Sequence, residues 1–192
     1  MMDWVNILVQ GCLLGGLYGL FAIGLSLSFG IMRLVNIAHG DLIVLSAYVA
    51  MIVVEFTGLD PITGLLVILP TMFLFGYALQ RGLLNFTLEG GLLPPLLVTF
   101  GISVIIQNGL LLSFGAYTHR LKLGAIETQS IVFPGDMSVG VFPLITFGVA
   151  VLSIGGLQLL FYKTALGRAF RAVSDDADTA HVSSKRKRWK RV

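Results

Sequence analysis

The segment from Asn36 to Asp41, Asn-Ile-Ala-His-Gly-Asp, is the most informative polar cluster of this sequence. An ionised carboxylate is costly in hydrocarbon, and His39 can titrate near neutral pH, so both groups need protein, water or each other as partners. Gly40 permits the backbone to leave a helical path. Two interpretations stay open: a broken helix that lines a route, or a polar turn just outside a membrane that caps the following helix.

A second group of polar side chains is spaced for one face of a helix. Thr99, Ser103 and Gln107 stand at positions i, i+4 and i+8 of an otherwise apolar run. Residues at this spacing line one helical face, so this face should avoid lipid. It predicts either a row of hydrogen bonds between helices or a path for a polar solute.

Motifs for enzyme chemistry are missing from the sequence. There is no G-x-S-x-G nucleophile, no H-E-x-x-H or C-x-x-C metal or redox motif, and no phosphate-binding loop. The single cysteine, Cys12, lies in an apolar run and excludes a disulfide within the chain. We therefore predict no enzyme, no catalytic residue, no cofactor and no metal, and any uphill transport must draw energy from another subunit or an ion gradient.

Composition indicates which elements position these groups. Of the 192 residues, 56% are hydrophobic and 12% are charged, where a soluble domain has about 25% charged residues. Residues 1–162 hold 4 basic and 7 acidic side chains, whereas residues 163–192 hold 9 basic and 3 acidic ones. A long apolar body with a short basic tail predicts an integral membrane protein with the tail in the cytoplasm.

The predicted fold is all-α, a polytopic transmembrane helical bundle with about five spans. A bilayer core of about 30 Å needs about 20 apolar residues in a helix, and four uncharged runs are that long. A fifth run, 42–54, is too short to cross unless it extends back through 34–41. The predicted spans are 5–31, 34–54, 61–80, 92–116 and 139–162.

The placement of lysine and arginine predicts the orientation of these spans. With the tail inside, Arg33 and Arg81 also fall inside, while Arg120 and Lys122 fall outside. The N-terminus is then external, and the loop 117–138 is extracytoplasmic. Its mixed charges, glycine and proline predict irregular or short extended structure.

Three stretches of the sequence resemble a known family. Residues 19–41 read GLFAIGLSLSFGIMRLVNIAHGD, residues 97–103 read LVTFGIS and are followed by Gln107 and Asn108, and residues 163–172 read KTALGRAFRA and are followed by Asp175 and Asp176. Together they resemble bacterial branched-chain amino-acid ABC transporter permeases of the LivH type, over residues 1 to about 180.

The resemblance implies a multi-pass location in the bacterial inner membrane, and it implies partners and roles. It implies a second permease subunit, cytoplasmic ATPase subunits and an extracytoplasmic solute-binding protein, and no nucleic acid. The segment that includes Asn36, His39, Gly40 and Asp41 would lie at the translocation region, with Thr99, Ser103 and Gln107 as further candidates. Residues 163–180 would be part of a cytoplasmic segment that couples to an ATPase, with Gly167, Arg168, Arg171, Ala172, Asp175 and Asp176 as the candidate contacts.

The resemblance ends before the last residues. Segment 181–192 has six basic residues among its last eight, around one tryptophan. Alone, such a run would be typical of a segment that meets anionic lipid or nucleic acid. After the loss of resemblance, we expect instead an aberrant tail on a truncated permease, following a transmembrane region at 1–162.

The predicted function is thus a permease subunit of an ABC importer for branched-chain amino acids or related small polar solutes such as amides and urea. The alternative is a small oligomeric channel or scaffold without ATP coupling. That alternative depends on Gly11, Gly15 and Gly19, which recur every four residues and let another helix approach closely.

Overall fold

The computed structural model describes residues 2–32, 35–87, 91, 93–121, 129–133, 137–165 and 167. Within these residues there are five long α-helices and one β-hairpin. The helices are α1 (Met2–Met32), α2 (His39–Thr57), α3 (Pro61–Leu79), α4 (Leu93–Phe114) and α5 (Val141–Lys163). A single π-helical turn, Gln80–Leu84, follows α3, and the strands are β1 (Ser130–Phe133) and β2 (Met137–Gly140).

All five helices are long and apolar enough to cross a membrane. They expose large apolar side chains all round, such as Leu112 at 87% and Leu152 at 76%. In water this much exposed apolar surface would drive aggregation, whereas in lipid it is solvated by acyl chains. The predicted all-α bundle of five spans is confirmed, and the chain is a multi-pass membrane protein.

The bounds of the helices differ from the expected spans mainly at the second one. We expected 34–54, but α2 begins at His39 and extends past Glu55 to Thr57. It is longer at its carboxyl end instead, and its 19 residues span about 28 Å. Gly58, at φ 64°, then ends the helix in the left-handed conformation that glycine adopts without strain.

Contacts divide the chain into two compact units, Met1–Arg33 with Pro143–Val192, and Leu34–Phe142. In the first unit, two glycines of α1, Gly16 and Gly19, lie against α5. A Cβ atom at Gly16 would overlap the Phe147 ring, and one at Gly19 would lie 3.6 Å from Ile154 Cδ1. Small residues on α1 therefore allow close contact with side chains of α5.

In the second unit, α2 packs against both α3 and α4. Proline at the first position of α3, Pro61, loses no helical hydrogen bond there. Gly64, one turn later, leaves room for Val54 of α2: a Cβ atom at Gly64 would lie 3.6 Å from Val54 Cγ2. The third span continues without a break through the π-helical turn to Leu84.

The loop between α4 and α5 contains the hairpin. Strands β1 and β2 pair antiparallel, with Ser130 opposite Gly140 and Phe133 opposite Met137. The pairing continues to the first residue of α5, because the Val141 amide donates to the Gln129 carbonyl at 3.0 Å. The short extended structure expected for this loop is therefore a two-stranded hairpin. Because β2 extends to Gly140, α5 begins at Val141 rather than at the expected residue 139.

Candidate functional site

A non-helical turn precedes α2. The Asn36 side-chain oxygen accepts a hydrogen bond from the Ala38 amide at 3.0 Å, and the Asn36 carbonyl accepts one from the His39 amide at 3.2 Å. An asparagine that bonds its own backbone two residues later is the usual way to hold such a turn. Asn36 thus holds the turn that leads into the first residue of α2.

The face of α4 that carries Thr99 and Ser103 is the most buried face of that helix. Its buried residues are Pro95, Thr99, Ile102, Ser103 and Ile106. Thr99 and Ser103 are only 2% and 6% exposed, while Gln107 is exposed. The two buried polar residues agree with the expectation that this face avoids lipid.

The turn before α2 is attached to this face of α4. The Ile37 amide donates to Thr99 Oγ1 at 3.3 Å, and the Thr99 hydroxyl in turn donates to the Leu96 carbonyl at 3.1 Å. Ala38 packs with Ile102 and Ile106 in an apolar cluster beside these bonds. A small residue at position 38 allows the turn to approach α4 closely.

Asp41, the third residue of α2, bonds across to α4. Its Oδ2 accepts a hydrogen bond from the Ser103 hydroxyl, and its Oδ1 accepts one from Gln107 Nε2 at 3.0 Å. Gln107 Nε2 also donates to Ser103 Oγ at 3.2 Å. We name these three side chains the Asp41 cluster. It joins the two groups of polar residues that the sequence places 62 or more positions apart.

The Asp41 cluster lies beside the middle of α4. Ser103 stands ten residues after Leu93 in a helix of 22 residues, which places it about 15 Å from the start of the helix. The hydrocarbon core of a bilayer is about 30 Å thick. A polar turn just outside the membrane would contact an end of α4. Contact with the middle of α4 therefore favours the interpretation of residues 36–41 as part of a broken helix, in which α2 begins inside the membrane.

Polar side chains of α4 and the first turn of α2 surround the Asp41 carboxylate. Two hydrogen-bond donors hold its oxygens, and the amino-terminal end of α2 carries a partial positive charge. His39 is partly buried, and Gly40 is exposed with no heavy atom within 4 Å of the position of an added Cβ. In the described part of the chain, no three His, Cys, Asp or Glu residues are grouped to hold a metal ion.

A second set of side chains, which the sequence analysis missed, lies further along the same pair of helices. The Tyr48 and Phe114 rings stand 4.6 Å apart between centroids, and the His119 ring meets both edge-on at 5.9 Å. A pocket of about 120 Å³ beside them is lined by Ala47, Tyr48, Met51, His119 and Leu121. Tyr48 shares a face of α2 with Asp41, seven residues earlier, but no spacing signal in the sequence points to His119.

Of the predicted coupling segment 163–180, the structure describes residues 163–165 and 167, and Gly167 is the one candidate contact among them. The Gly167 amide donates to Thr164 Oγ1 at 3.3 Å, and a Cβ atom at Gly167 would overlap the Phe161 carbonyl. Glycine is therefore the residue that fits this close approach after α5. The other candidates lie outside the described residues: Arg168, Arg171, Ala172, Asp175 and Asp176.

Comparison with known proteins gives one family. Residues 7–192 match the profile of the family described as branched-chain amino acid transport system / permease component. This range includes the basic segment 181–192. No solved structure matches the chain significantly.

Several curated relatives are similar over most of the chain. The high-affinity branched-chain amino acid transport system permease protein BraD of Pseudomonas aeruginosa is 32% identical over 184 residues, covering 88% of the chain and 58% of the relative. LivH of Escherichia coli is 24% identical over 186 residues, with coverages of 90% and 59%. A probable LivH permease protein of Methanocaldococcus jannaschii is 28% identical over 191 residues, with coverages of 92% and 57%. The chain thus spans under three fifths of the length of these relatives, whose names are those of transport permeases and give no support to a channel or scaffold.

Proposed function

We propose that this chain, which belongs to the family of permease components of branched-chain amino acid transport systems, acts in the membrane permease of an ABC importer. The solutes are branched-chain amino acids or related small polar molecules such as amides and urea. The observation that carries this proposal is the family match, which extends over residues 7–192 and includes every residue of the Asp41 cluster.

The Asp41 cluster supports a role at the translocation route. Ionisable residues within membrane spans cost free energy, and they usually face the interior of a helix bundle or an aqueous cavity. Asp41 meets this description because it contacts the middle of α4 and remains partly exposed. In our proposal Asn36, His39, Gly40 and Asp41 present polar groups to the solute, and Thr99, Ser103 and Gln107 hold them in position.

The proposed partners are a second permease subunit, two cytoplasmic ATPase subunits and an extracytoplasmic solute-binding protein. The sequence contains no phosphate-binding loop, so ATP hydrolysis must occur on another subunit. Residues 163–180 are the proposed docking segment. Within it, Arg168 and Arg171 stand three positions apart and can face one partner surface if the segment is helical.

The proposed orientation places the N-terminus and the hairpin outside, and residues 163–192 in the cytoplasm. Exposed aromatic side chains agree with the alternation of the helices. One group would lie at the outer membrane–water interface: Trp4, Phe56 and Tyr117. The other would lie at the inner interface: Tyr77, Phe86 and Tyr162. Aromatic residues are enriched at both interfaces of a membrane, and lysine and arginine set the direction.

Uptake into proteoliposomes tests the proposal. In a full-length permease, the part homologous to this chain is replaced by this chain. The protein is reconstituted with the second permease, the ATPase subunits and the binding protein, and uptake of radiolabelled leucine is measured. We expect uptake that requires both ATP and the binding protein. Uptake that ignores both components would instead support a channel, and absence of uptake for leucine, amides and urea alike would refute the proposed solute class.

A further inference from the structure

We propose that the face of the third span formed by Phe73, Tyr77 and Arg81 binds an anionic phospholipid, whose phosphate is held by Arg81 and Tyr77. We name these three side chains the Arg81 stripe. The proposal goes beyond the transport function and does not depend on it, because it concerns a surface that faces lipid rather than the Asp41 cluster. It is carried by the spacing and exposure of the three residues, by the depth of Arg81, and by the hydrogen-bond donors at the end of the stripe.

The members of the Arg81 stripe follow one another at intervals of one helical turn. Phe73 and Tyr77 lie in the second half of α3, and Arg81 lies in the π-helical turn that follows it. Residues four positions apart share a face of a helix. Phe73 and Tyr77 are 72% and 52% exposed, and Arg81 is exposed as well. Towards the membrane surface the stripe changes from apolar to amphipathic to cationic, which complements the acyl chain, ester groups and phosphate of a phospholipid.

The depth of Arg81 matches the level at which lipid phosphates lie. Asp60 precedes α3 and is exposed, which places the start of the helix, at Pro61, near one membrane surface. Arg81 follows Pro61 at a distance of about 30 Å along the helix axis, and the hydrocarbon core of a bilayer is about 30 Å thick. The guanidinium group therefore lies where hydrocarbon gives way to head groups at the opposite surface.

The position of Arg81 is fixed by its neighbours. The Asn85 amide donates to the Gln80 carbonyl at 2.9 Å across the π-helical turn, and Gln80 Nε2 donates to Asn85 Oδ1 at 3.1 Å. An arginine near the end of a membrane helix usually extends its head group towards water. Arg81 is instead bonded to Tyr77, one turn closer to the middle of the membrane. Its charge is therefore held at the level of the lipid head groups.

Hydrogen-bond donors meet at this end of the stripe. Arg81 Nη1 donates to the Tyr77 hydroxyl oxygen at 2.8 Å, which leaves the other N–H groups of the guanidinium and the hydroxyl proton for further acceptors. In the described part of the chain, no aspartate or glutamate forms an ion pair with Arg81. A planar cation with an O–H donor beside it fits the oxygens of a phosphate, which arginine binds through two parallel bonds.

The missing counter-charge favours lipids with a net negative charge. The phosphate of phosphatidylcholine is neutralised by the quaternary ammonium of its own head group, whereas that of phosphatidylglycerol is not. A basic residue near a membrane surface attracts anionic lipid. We therefore expect phosphatidylglycerol to occupy the Arg81 stripe in preference to phosphatidylcholine with the same acyl chains.

Fluorescence quenching by brominated lipids identifies the lipid beside the stripe. In a Cys12→Ser background, Leu74→Cys carries a bimane fluorophore next to Phe73 in the sequence, at a position 64% exposed. The 192-residue chain is reconstituted in phosphatidylcholine nanodiscs, in which a minor fraction of the lipid is brominated phosphatidylglycerol or brominated phosphatidylcholine. The matched control is the same fluorophore at Leu152→Cys, 76% exposed on α5, because α5 has no lysine or arginine before Lys163.

We expect phosphatidylglycerol to be enriched about fivefold over phosphatidylcholine beside position 74, which is the effect of one basic residue near a membrane surface, and at most about twofold beside position 152. Arg81→Gln should abolish the enrichment. Arg81→Lys, which keeps the charge without the planar fork, should retain part of it, and Tyr77→Phe should lower it by about half. These two milder variants provide the comparison if Arg81→Gln fails to insert. Excess glycerol 3-phosphate should not displace the lipid, because it has no acyl chain to contact Phe73.

Four results would each overturn the proposal. They are equal quenching by the two lipids at position 74, enrichment that survives Arg81→Gln, equal enrichment at position 152, and displacement of the lipid by glycerol 3-phosphate. The first would leave Arg81 to a carboxylate of a protein partner, and the last would indicate a site for a soluble phosphate compound. ATP-dependent uptake tests the proposed function separately, since none of these measurements involves transport.

Discussion

The hydrogen bond between Ser103 and Asp41 should contribute measurably to the stability of the helix bundle. Ser103→Ala removes the donor to Asp41 Oδ2 and the acceptor for Gln107 Nε2. A hydrogen bond to a charged group contributes about 1.5–3 kcal/mol in soluble proteins, but bonds between membrane helices average about 0.6 kcal/mol and reach about 1.7 kcal/mol. Because Ser103 is buried and its partner is charged, we expect a loss of about 1–2 kcal/mol in the free energy of unfolding.

A double-mutant cycle measures this contribution. The 192-residue chain in bicelles is unfolded reversibly by steric trapping, and Ser103→Ala, Asp41→Asn and the double variant are compared. We expect a coupling free energy of about 1 kcal/mol. Asn108→Ala is the matched control on the same helix, because Asn108 is exposed and its amide bonds the Val104 carbonyl of its own helix at 2.8 Å.

The control variant should change stability by less than about 0.5 kcal/mol. Additive effects of Ser103→Ala and Asp41→Asn would show that the two side chains do not interact in the folded protein. A loss in Asn108→Ala as large as that in Ser103→Ala would show that any polar residue of α4 matters equally. Additivity would refute the assignment of Asp41 to the middle of α4, and an equal loss in the control would refute the special contribution of Ser103 to stability.

Three further predictions concern the packing of α1 against α5, the orientation of the chain in the membrane, and the first turn of α2. Gly16→Leu should destabilise the bundle by about 2 kcal/mol because its side chain must displace an aromatic ring of α5, whereas Gly11→Leu, with open space around it, should have little effect in the same unfolding assay. In a cysteine-free background, a cysteine at Gln129 should react with an impermeant maleimide from outside, and one at Asn85 only from inside. The reverse pattern would contradict the proposed orientation. Gly40→Leu should reduce uptake by the full-length permease more than its membrane abundance, because the added side chain fills open space in the first turn of α2, next to Asp41 in the sequence.

The number and class of the spans could be predicted from the sequence, because a chain in lipid must satisfy its backbone hydrogen bonds within each span. Apolar length alone then identifies each crossing. The start of α2 could not be predicted in the same way. Ile37 and Ala38 are apolar and would suit a helix, whereas in the structure the Asn36 side chain bonds the Ala38 amide and the Ile37 amide bonds Thr99, so the chain turns there.

The candidate site was predictable in its parts but not in its assembly. The sequence indicates that Asp41 needs a partner and that Ser103 faces away from lipid, since both follow from the cost of polar groups in hydrocarbon. That these two residues are each other's partners depends on the packing of α2 against α4. The contact of Tyr48 with Phe114 also depends on this packing. The sequence gives no sign that His119 joins them, because His119 lies in a loop without periodicity.

The uptake rate of a permease with Asp41→Ala tests the central claim most directly. The variant and the wild type are reconstituted with the same partners at equal abundance, and Asn108→Ala is measured beside them as the control. If the Asp41 cluster lies on the translocation route, ATP-dependent leucine uptake should fall at least tenfold in the Asp41 variant and less than twofold in the control. Wild-type uptake by Asp41→Ala at equal membrane abundance would contradict the account, because the carboxylate would then serve only to hold a turn against α4.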